Sequence, residues 1–282
     1  MGIVEISRGC GLGCAFCTLA HQPMRHLPVD RILLDIETNR SAGIRNISLI
    51  SEDFFRYGAT GPLGTVAPDA IKELLTAIRR LPGIGVIQTD HANIASVAAI
   101  DDADLSDIYT LLAGPTGDGC LWINVGVESP DEELLASNGG TPKMRQFQGH
   151  WADVCRQEIQ RLSRAGFLPM ASIIVGLPGE TDDSIRMTID WVNSLKGERV
   201  TIFPVRYAPL VASDSRPLTP LQWELFRISY QFNFKWIPPL FWRNQTESGA
   251  TLPMRCLTRF LGRCQALLLG AKIAHRAKGR PQ

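Results

Sequence analysis

Three cysteines close to the N-terminus are the residues whose types and spacing most clearly predict chemistry. Cys10, Cys14 and Cys17 form a C-x3-C-x2-C pattern within the run SRGCGLGCAFC. Three thiolates this close must share one metal centre or repel one another, and the glycines at 9, 11 and 13 let the backbone wrap tightly around such a centre. Iron–sulfur clusters are normally held by cysteine thiolates, four in a complete shell, so a set of three leaves one iron open for chemistry.

A structural zinc site is the alternative for the same cysteines. His21 follows closely and could complete a Cys3His set with closed tetrahedral geometry. The chain would then be a non-catalytic metal-binding protein, either a zinc-structured module or a degenerate barrel that serves as a partner subunit. The remaining cysteines are scattered, and each is interpreted as a small buried hydrophobe: Cys120, Cys155, Cys256 and Cys264.

Short β-branched runs alternate with helical patterns along most of the chain, and these elements must position the cysteines. The predicted strands are Gly2–Ile6, Asn46–Ile50, Gly85–Gln88, Leu121–Val127, Leu168–Val175 and Arg199–Val205. The clearest predicted helices are Asp30–Ala42, Pro68–Arg80, Trp151–Ala165 and Asp182–Leu195. Six such repeats predict an α/β fold in which a parallel sheet, covered by helices, curls into a barrel or part of one.

The pattern breaks at about Arg206, after which prolines and aromatic residues become frequent. We therefore divide the chain into a core barrel, residues 1–206, and a helical C-terminal extension, residues 207–282. In barrels of this kind the chemistry lies at the C-terminal ends of the strands. The cysteine loop and the motifs described next all follow predicted strands, which supports this organisation.

Polar and glycine-rich motifs follow the second, fourth and fifth predicted strands. Glu52 and Asp53 offer carboxylates that could bind a cationic ligand or lie in solvent. Glu128 and Ser129 end the fourth strand, where Ser129 could also cap the next helix. Gly176 begins the run GLPGET, whose Pro-Gly pair predicts a tight turn.

These motifs together resemble the radical S-adenosylmethionine (SAM) superfamily. The C-x3-C-x2-C loop with Phe16 before its last cysteine resembles that family's cluster loop. The GVES and IVGLPGET runs resemble the subgroup that contains methylthiotransferases and cobalamin-binding enzymes. The resemblance covers residues 2–206 and implies a partial (βα)6 radical SAM barrel with the helical extension attached to it.

The resemblance also implies a role for each motif residue. Cys10, Cys14 and Cys17 would ligate three irons of a [4Fe–4S] cluster, while SAM binds the fourth iron. The SAM-binding residues would be drawn from Glu52, Asp53, Glu128, Ser129, Gly176 and Val205. Between Glu52 and Asp53 the sequence does not choose.

The activity implied by the resemblance is reductive cleavage of SAM to a 5′-deoxyadenosyl radical, which abstracts hydrogen from an unidentified substrate. A methyltransferase, a methylthiotransferase or a cyclase reaction would each fit. A low-potential electron donor of the flavodoxin or ferredoxin type is the implied partner. No cobalamin-binding segment precedes Cys10 in this sequence, so cobalamin is expected only if a missing or separate domain supplies it.

Charge is distributed unevenly between the body and the end of the chain. The net charge is +1, which gives no nucleic-acid signal. After Glu247 there are seven Lys or Arg residues and no acidic residue. The rest of the chain therefore contains 29 − 7 = 22 basic residues and all 28 acidic residues, so its net charge is negative. We find no signal peptide and no membrane-spanning run, which predicts a soluble, cytoplasmic protein.

The end of the chain, from Arg255, reads as one amphipathic helix. Its apolar stripe recurs at helical spacing and consists of Leu257, Phe260, Leu261, Cys264, Leu267, Leu268 and Ala271. The favoured interpretation is a terminal helix docked on the acidic body, with its basic face in water. The alternative is a peripheral contact with an anionic membrane surface, to which the basic residues would contribute.

Overall fold

The computed structural model describes residues 1–61, 65–115, 121–145, 147–208, 217–247 and 249–278. The strands are β1 Gly2–Glu5, β2 Ser7–Arg8, β3 Arg25–His26, β4 Ile47–Ile50, β5 Ile87–Thr89, β6 His91–Ala92, β7 Trp122–Glu128, β8 Leu168–Val175 and β9 Thr201–Arg206. The helices are α1 Val29–Ser41, α2 Pro68–Arg79, α3 Ile94–Ala99, α4 Asp102–Ala113, α5 Glu132–Ser137, α6 Thr141–Met144, α7 Trp151–Arg164, α8 Asp182–Ser194, α9 Pro220–Asn233, α10 Ile237–Glu247 and α11 Leu252–Ala277.

Seven strands in two parallel sheets form an open array, which confirms the predicted α/β architecture. One sheet has the order β1-β4-β5 and a second the order β6-β7-β8-β9, and every pairing in them is parallel. Asp90 separates β5 from β6, and its carbonyl accepts a hydrogen bond from the Asn124 amide at 2.9 Å, which links the two sheets. Among the described residues no ladder joins β9 to β1, so the barrel is partial.

Helices cover the outer face of the strands and form the core with them. The predicted stripe of α2 is completely buried, since Ile71, Leu74, Leu75 and Ile78 are all 0% exposed. Burying each such side chain stabilises the fold by roughly 1.5–3 kcal/mol before entropy is counted. Helices and the sheet therefore hold the strand ends in fixed positions.

The C-terminal extension is helical, as predicted, and attaches to the last strand through α9. The Asn233 side chain accepts a hydrogen bond from the Ile202 amide at 2.7 Å and donates one to the Ile202 carbonyl at 2.6 Å. Asn233 is buried, so this side chain satisfies backbone groups of β9 that no neighbouring strand pairs with in the described chain. The division at residue 206 stays a prediction.

The favoured orientation of the terminal helix is wrong in one respect. α11 packs against α9, but the predicted apolar stripe does not face the body. Five of its residues are 52–75% exposed: Leu257, Phe260, Leu261, Leu267 and Leu268. The docked face instead carries Ile273, which is 3% exposed, together with half-buried Ala266 and Gly270.

Several local features differ from the sequence-based predictions. Ser129 does not cap α5; the side chain of Asp131 does so by accepting from the Leu134 amide. The interpretation of the scattered cysteines holds for buried Cys155 but is wrong for exposed Cys256 and half-buried Cys264, while Cys120 lies outside the described residues. None of the described helices combines the length and apolar composition needed to cross a bilayer.

Candidate functional site

The cysteine loop lies between β2 and β3, a short antiparallel pair that closes its base. Within the loop, the Cys10 amide donates to the Gln22 carbonyl at 3.0 Å and the Gly13 amide donates to the Ala20 carbonyl at 2.8 Å. Gly9 has a φ of +87°, and a Cβ there would lie 2.5 Å from the Pro23 carbonyl oxygen. Only glycine fits this position without displacing the opposite side of the loop.

Arg56 anchors the start of the loop from a neighbouring strand end. It belongs to a short 3-10 helix, Phe54–Arg56, that follows β4, and its side chain is buried. Its guanidinium donates to the Cys10 carbonyl at 2.7 Å. Because this buried arginine donates a hydrogen bond to the loop backbone, it fixes the position of the first cysteine relative to the sheet. The sequence analysis did not identify this residue.

A cavity of about 480 Å³ opens at the C-terminal ends of the strands, with all three cysteines in its wall. Phe16 also lines it and packs against the cysteine loop. A cavity of this volume suits a small-molecule cofactor. A second cavity, of about 580 Å³ between α8 and α9, contains none of the predicted site residues, so volume alone does not identify the site.

The donor set fits a cluster better than a single metal ion. Among the described residues, no three His, Cys, Asp or Glu side chains converge on one point as a mononuclear ion requires. His21 is exposed and does not line the cavity. In a [4Fe–4S] cluster each thiolate ligates a different iron, so three sulfurs spread around one cavity wall suit that group.

The environment of the thiols opposes their ionisation in the protein alone. Burial raises the pKa of the Cys10 thiol, which also has the Asp53 carboxylate nearby. Burial also raises the pKa of the Cys14 thiol, whereas the ammonium of Lys143 acts in the opposite direction. The protein alone therefore favours the neutral thiols of Cys10 and Cys14, and a metal centre that binds them would have to displace their protons.

The two carboxylates after β4 have different surroundings. Glu52 lines the cavity, and its buried Oε2 has no hydrogen-bond partner among the described residues. Asp53 is 0% exposed and accepts hydrogen bonds from the Ser96 hydroxyl at 2.6 Å and from the Asn93 side-chain amide at 2.9 Å. Burial raises the pKa of Asp53. Glu52 is thus free to bind a ligand, whereas Asp53 is occupied with protein donors.

Glu128 and Lys143 form a buried ion pair in the cavity wall. The Lys143 ammonium bonds to a Glu128 carboxylate oxygen, and both side chains are about one-tenth exposed or less, at 9% and 12%. Glu128 has a φ of +63°, in the left-handed region, where the β7–β8 register shifts between Gly126 and Glu128. This conformation costs roughly 1–2 kcal/mol in a residue with a Cβ and concentrates at functional sites.

Lys143 is a site residue that the sequence analysis missed. The run NGGTP at 138–142 has the composition of a loop, but its last two residues begin the one-turn helix α6, Thr141–Met144, which carries Lys143 into the cavity wall. Burial disfavours the charge on this ammonium, yet Glu128 holds its pKa above the usual value. No local pattern indicates this pairing, because the two partners are 15 residues apart.

Asn93 is a second missed residue. It follows β6, lines the cavity, and points its side-chain amide at the Cys10 sulfur at 3.8 Å while also bonding to Asp53. Hydrogen bonds to ligating sulfurs tune the potential of iron–sulfur clusters. Strand β6 has only two residues, so the sequence offered no strand pattern to indicate it.

The other predicted SAM-binding residues lie outside the cavity wall. The Ser129 hydroxyl is buried and accepts from the Asp131 amide at 3.1 Å. Gly176 has a φ of +88°, and its amide donates to the Glu180 carboxylate at 3.0 Å, so Glu180 stabilises the turn. Val205 is 53% exposed on β9.

Comparisons with known proteins agree with this architecture. The family model described as Radical SAM superfamily matches residues 4–192. A ribosomal protein uS12 methylthiotransferase RimO from Sorangium cellulosum is 28% identical over 221 residues, which cover 76% of this chain and 42% of the relative. A tRNA-2-methylthio-N(6)-dimethylallyladenosine synthase from a Ruegeria species is 24% identical over 77% of this chain and 44% of the relative.

Among solved structures, the radical SAM methyltransferase TsrM from Kitasatospora setae, with tryptophan and a SAM analogue bound, is similar at a TM-score of 0.53. Its sequence is 16% identical, and the match covers 72% of this chain and 35% of TsrM, so this likeness concerns the fold alone. The chain spans less than half the length of the relatives described here. On the family match over residues 4–192, the chain belongs to the radical SAM superfamily, enzymes whose cofactors are a [4Fe–4S] cluster and SAM.

Proposed function

We propose that this protein binds a [4Fe–4S] cluster through Cys10, Cys14 and Cys17 and cleaves SAM reductively to start radical chemistry on a substrate held at the cavity mouth. When bound, the reduced cluster supplies the electron that splits SAM into methionine and a 5′-deoxyadenosyl radical, which abstracts hydrogen from the substrate. The observation that carries the proposal is the cavity of about 480 Å³ whose wall contains all three cysteines and three acidic residues, Glu52, Asp90 and Glu128.

This chain's own residues would orient SAM. The unpartnered Oε2 of Glu52 supports a contact with the SAM ammonium, since a cationic ligand needs a nearby anion. Glu128, held by Lys143, would accept hydrogen bonds from the ribose hydroxyls. Asp53 would act indirectly by positioning Asn93, and Ser129 by shaping the turn after β7.

Gly176 and Val205 would contribute backbone rather than side-chain groups. Both are exposed at the ends of neighbouring strands, β8 and β9, where planar ligand groups can approach the main chain. Apart from the chain neighbours of Gly176, no atom of the described residues lies closer than 3.9 Å to a Cβ built on it, so this part of the described structure leaves open space. The adenine side of SAM is proposed to lie there.

A low-potential donor of the flavodoxin or ferredoxin type is proposed to reduce the cluster. Relatives named as methylthiotransferases make a sulfur- or methyl-transfer reaction a proposal for this chain, with a cyclase reaction equally open. Cobalamin would enter only if a separate domain supplied it. Contact of the C-terminal helix with an anionic membrane stays a prediction, and its test forms part of the experiment on that helix below.

Anaerobic reconstitution with iron and sulfide tests the cofactor assignment. We expect four irons per chain and broad absorption near ~400 nm. Addition of SAM to the reduced protein should then change the cluster's electron paramagnetic resonance spectrum, because SAM binds the open iron. A protein that takes up one zinc and no cluster would establish the zinc alternative. A cluster whose spectrum does not change when SAM is added would indicate a non-catalytic partner subunit.

A further inference from the structure

Helix α11 presents a bulky apolar face to solvent. Leu257 is 52% exposed, Phe260 64%, Leu261 54%, Leu267 75% and Leu268 74%. These residues follow one side of the helix over about three turns. Exposed apolar patches of this kind mark interaction sites.

The opposite face of α11 is already occupied by the protein itself. Ile273 is buried against the body, and α11 packs on α9. The guanidinium groups of Arg255 and Arg259 stack over the Trp242 ring at 4.2 Å and 5.0 Å from its centroid. At about 100° per residue, both arginines lie roughly 160° around the helix from Leu257.

This placement of charge favours a protein partner over a membrane. A helix that lies on an anionic membrane carries basic residues beside its apolar face. Here Arg255 and Arg259 are turned away from that face and held by Trp242. The exposed face therefore lacks two of the cations that membrane contact would use.

The apolar residues also follow the repeat of a helix pair. Leu257, Phe260, Cys264, Leu267 and Ala271 are spaced alternately by three and four residues, which places them at the a and d positions of consecutive heptads. The next d position is Ala274. A seam of this kind packs against another helix, because each side chain inserts between residues of the facing helix.

The seam is complementary to itself when two copies run antiparallel. With a two-fold axis midway between residues 265 and 266, Leu257 faces Ala274, Phe260 faces Ala271 and Cys264 faces Leu267. Every layer then joins one large and one small side chain, as close packing requires. A parallel pair would instead place Phe260 against Phe260 at one end and Ala271 against Ala271 at the other.

The exposed area is sufficient for a dimer. The five large side chains, at their observed exposure, offer roughly 400 Å² of apolar surface per copy. A stable interface buries about 800 Å² per partner, of which about 65% is apolar in homodimers. The stripe thus supplies most of the apolar area that such an interface needs.

We propose that the exposed face of α11 binds a second copy of this chain, as an antiparallel helix pair with its two-fold axis near Cys264. Each copy contributes the same surface, so the interface is closed and the assembly stops at two chains. Arg263 lies at the rim of this interface, where it approaches Arg263 of the second copy. The inference does not depend on the proposed SAM chemistry.

The first test is the molar mass of the full reconstituted chain in solution, measured by light scattering during size-exclusion chromatography over a range of concentrations. Wild type should be a dimer. Leu267→Glu should raise the dimer dissociation constant at least about 30-fold, as expected for an interface residue beside the two-fold axis. Leu34→Glu, at a side chain 61% exposed on α1, is the matched control and should leave the dimer intact. A monomeric wild type, or equal loss with both variants, would overturn the proposal.

The second test uses the native cysteines to determine orientation. In the holoprotein the cluster cysteines are ligated, so a short bismaleimide should join two copies through Cys264. Cys264→Ser should abolish this crosslink and Cys256→Ser should retain it, because antiparallel pairing separates the two Cys256 residues by about 28 Å along the axis. A crosslink that depends on Cys256 would contradict the antiparallel arrangement.

The third test separates a dimer from a membrane contact. Since Arg263 residues meet at the rim, added salt should leave the dimer intact or strengthen it, and the protein should not float with anionic or neutral vesicles. Salt-sensitive flotation of a monomeric chain with anionic vesicles only would overturn the dimer and establish the membrane contact instead.

Discussion

At the scale of single residues, two adjacent carboxylates after β4 differ in what surrounds them. Glu52 keeps one buried oxygen without a described partner, whereas Asp53 accepts from Ser96 and Asn93. Adjacent residues on an extended chain point in opposite directions, so one side chain faces the cavity and the other faces the core. This difference separates the two candidates that the sequence alone left equal.

The substitution Glu52→Gln tests this difference. We expect the dissociation constant for SAM to rise about 10-fold or more, because a charge-assisted contact contributes roughly 1.5–3 kcal/mol. Iron content should stay at the wild-type level. Isothermal titration with SAM and iron analysis measure the two effects separately. An unchanged SAM affinity would remove Glu52 from the site.

Asp53→Asn is the matched variant at the neighbouring position. It should lower the free energy of unfolding by about 1–3 kcal/mol, because a carboxylate that serves several buried donors is lost. Urea denaturation of the apoprotein measures this change. If Asp53→Asn weakened SAM binding as strongly as Glu52→Gln without any loss of stability, our assignment of the two roles would be reversed.

Lys143 and Glu128 are coupled, since each neutralises the other in a buried site. Lys143→Met should destabilise the apoprotein by about 3–5 kcal/mol by leaving a buried carboxylate unpaired. The double variant Lys143→Met/Glu128→Gln should recover part of that loss. Urea denaturation of the single and double variants gives the coupling energy. Arg156→Met, which breaks an exposed pair with Asp153, is the control and should change stability little.

Additive effects of the two substitutions would show that Lys143 and Glu128 do not interact. Sequence reasoning found Glu128, which ends a strand, but not Lys143 or Asn93. Their roles depend on contacts between segments that are distant in the sequence, and the local spacing of residue types does not indicate such contacts.

At the scale of elements, long strands were predictable and short ones were not. The predicted strand over 168–175 coincides with β8, and the predicted helix from Pro68 with α2, because burial on one face leaves a clear period in the sequence. Strands of two residues, such as β2, β3 and β6, leave no period. The orientation of α11 was wrong because an apolar stripe indicates a buried face without indicating which molecule buries it.

The cysteine loop depends on the backbone conformation of Gly9. Gly9→Ala should reduce iron uptake and lower the melting temperature, because the new Cβ would lie 2.5 Å from the Pro23 carbonyl oxygen in addition to the strain of a φ of +87°. Gly13→Ala is the control, since its φ is +78° but no described atom lies within 4 Å of the new Cβ. It should show only the strain of about 1–2 kcal/mol.

Iron analysis after reconstitution, together with thermal unfolding, compares the two glycine variants. Equal iron loss in Gly9→Ala and Gly13→Ala would mean that left-handed backbone strain, and not the close approach of Pro23, limits the loop. Retention of full iron content in Gly9→Ala would show that the loop can rearrange around a side chain.

At the scale of the whole molecule, the partial barrel gathers distant segments at one edge of the sheet. The cysteine loop follows the first strand, Glu52 follows β4, Asn93 follows β6 and Glu128 ends β7, and all of them line one cavity. Parallel strands make this possible, because their C-terminal ends lie on the same side. The extension attaches through α9 to β9, where the Asn233 side chain bonds to the backbone of Ile202.

The yield of 5′-deoxyadenosine from the reconstituted, anaerobically reduced protein incubated with SAM tests the proposed function most directly. Wild type should form it, and so should Cys155→Ala, which alters a completely buried thiol outside the cavity. Cys14→Ala should form none while its circular dichroism spectrum remains that of the wild type, because two thiolates do not hold the cluster. An undiminished yield from Cys14→Ala, or no product from iron-loaded wild type, would contradict the account.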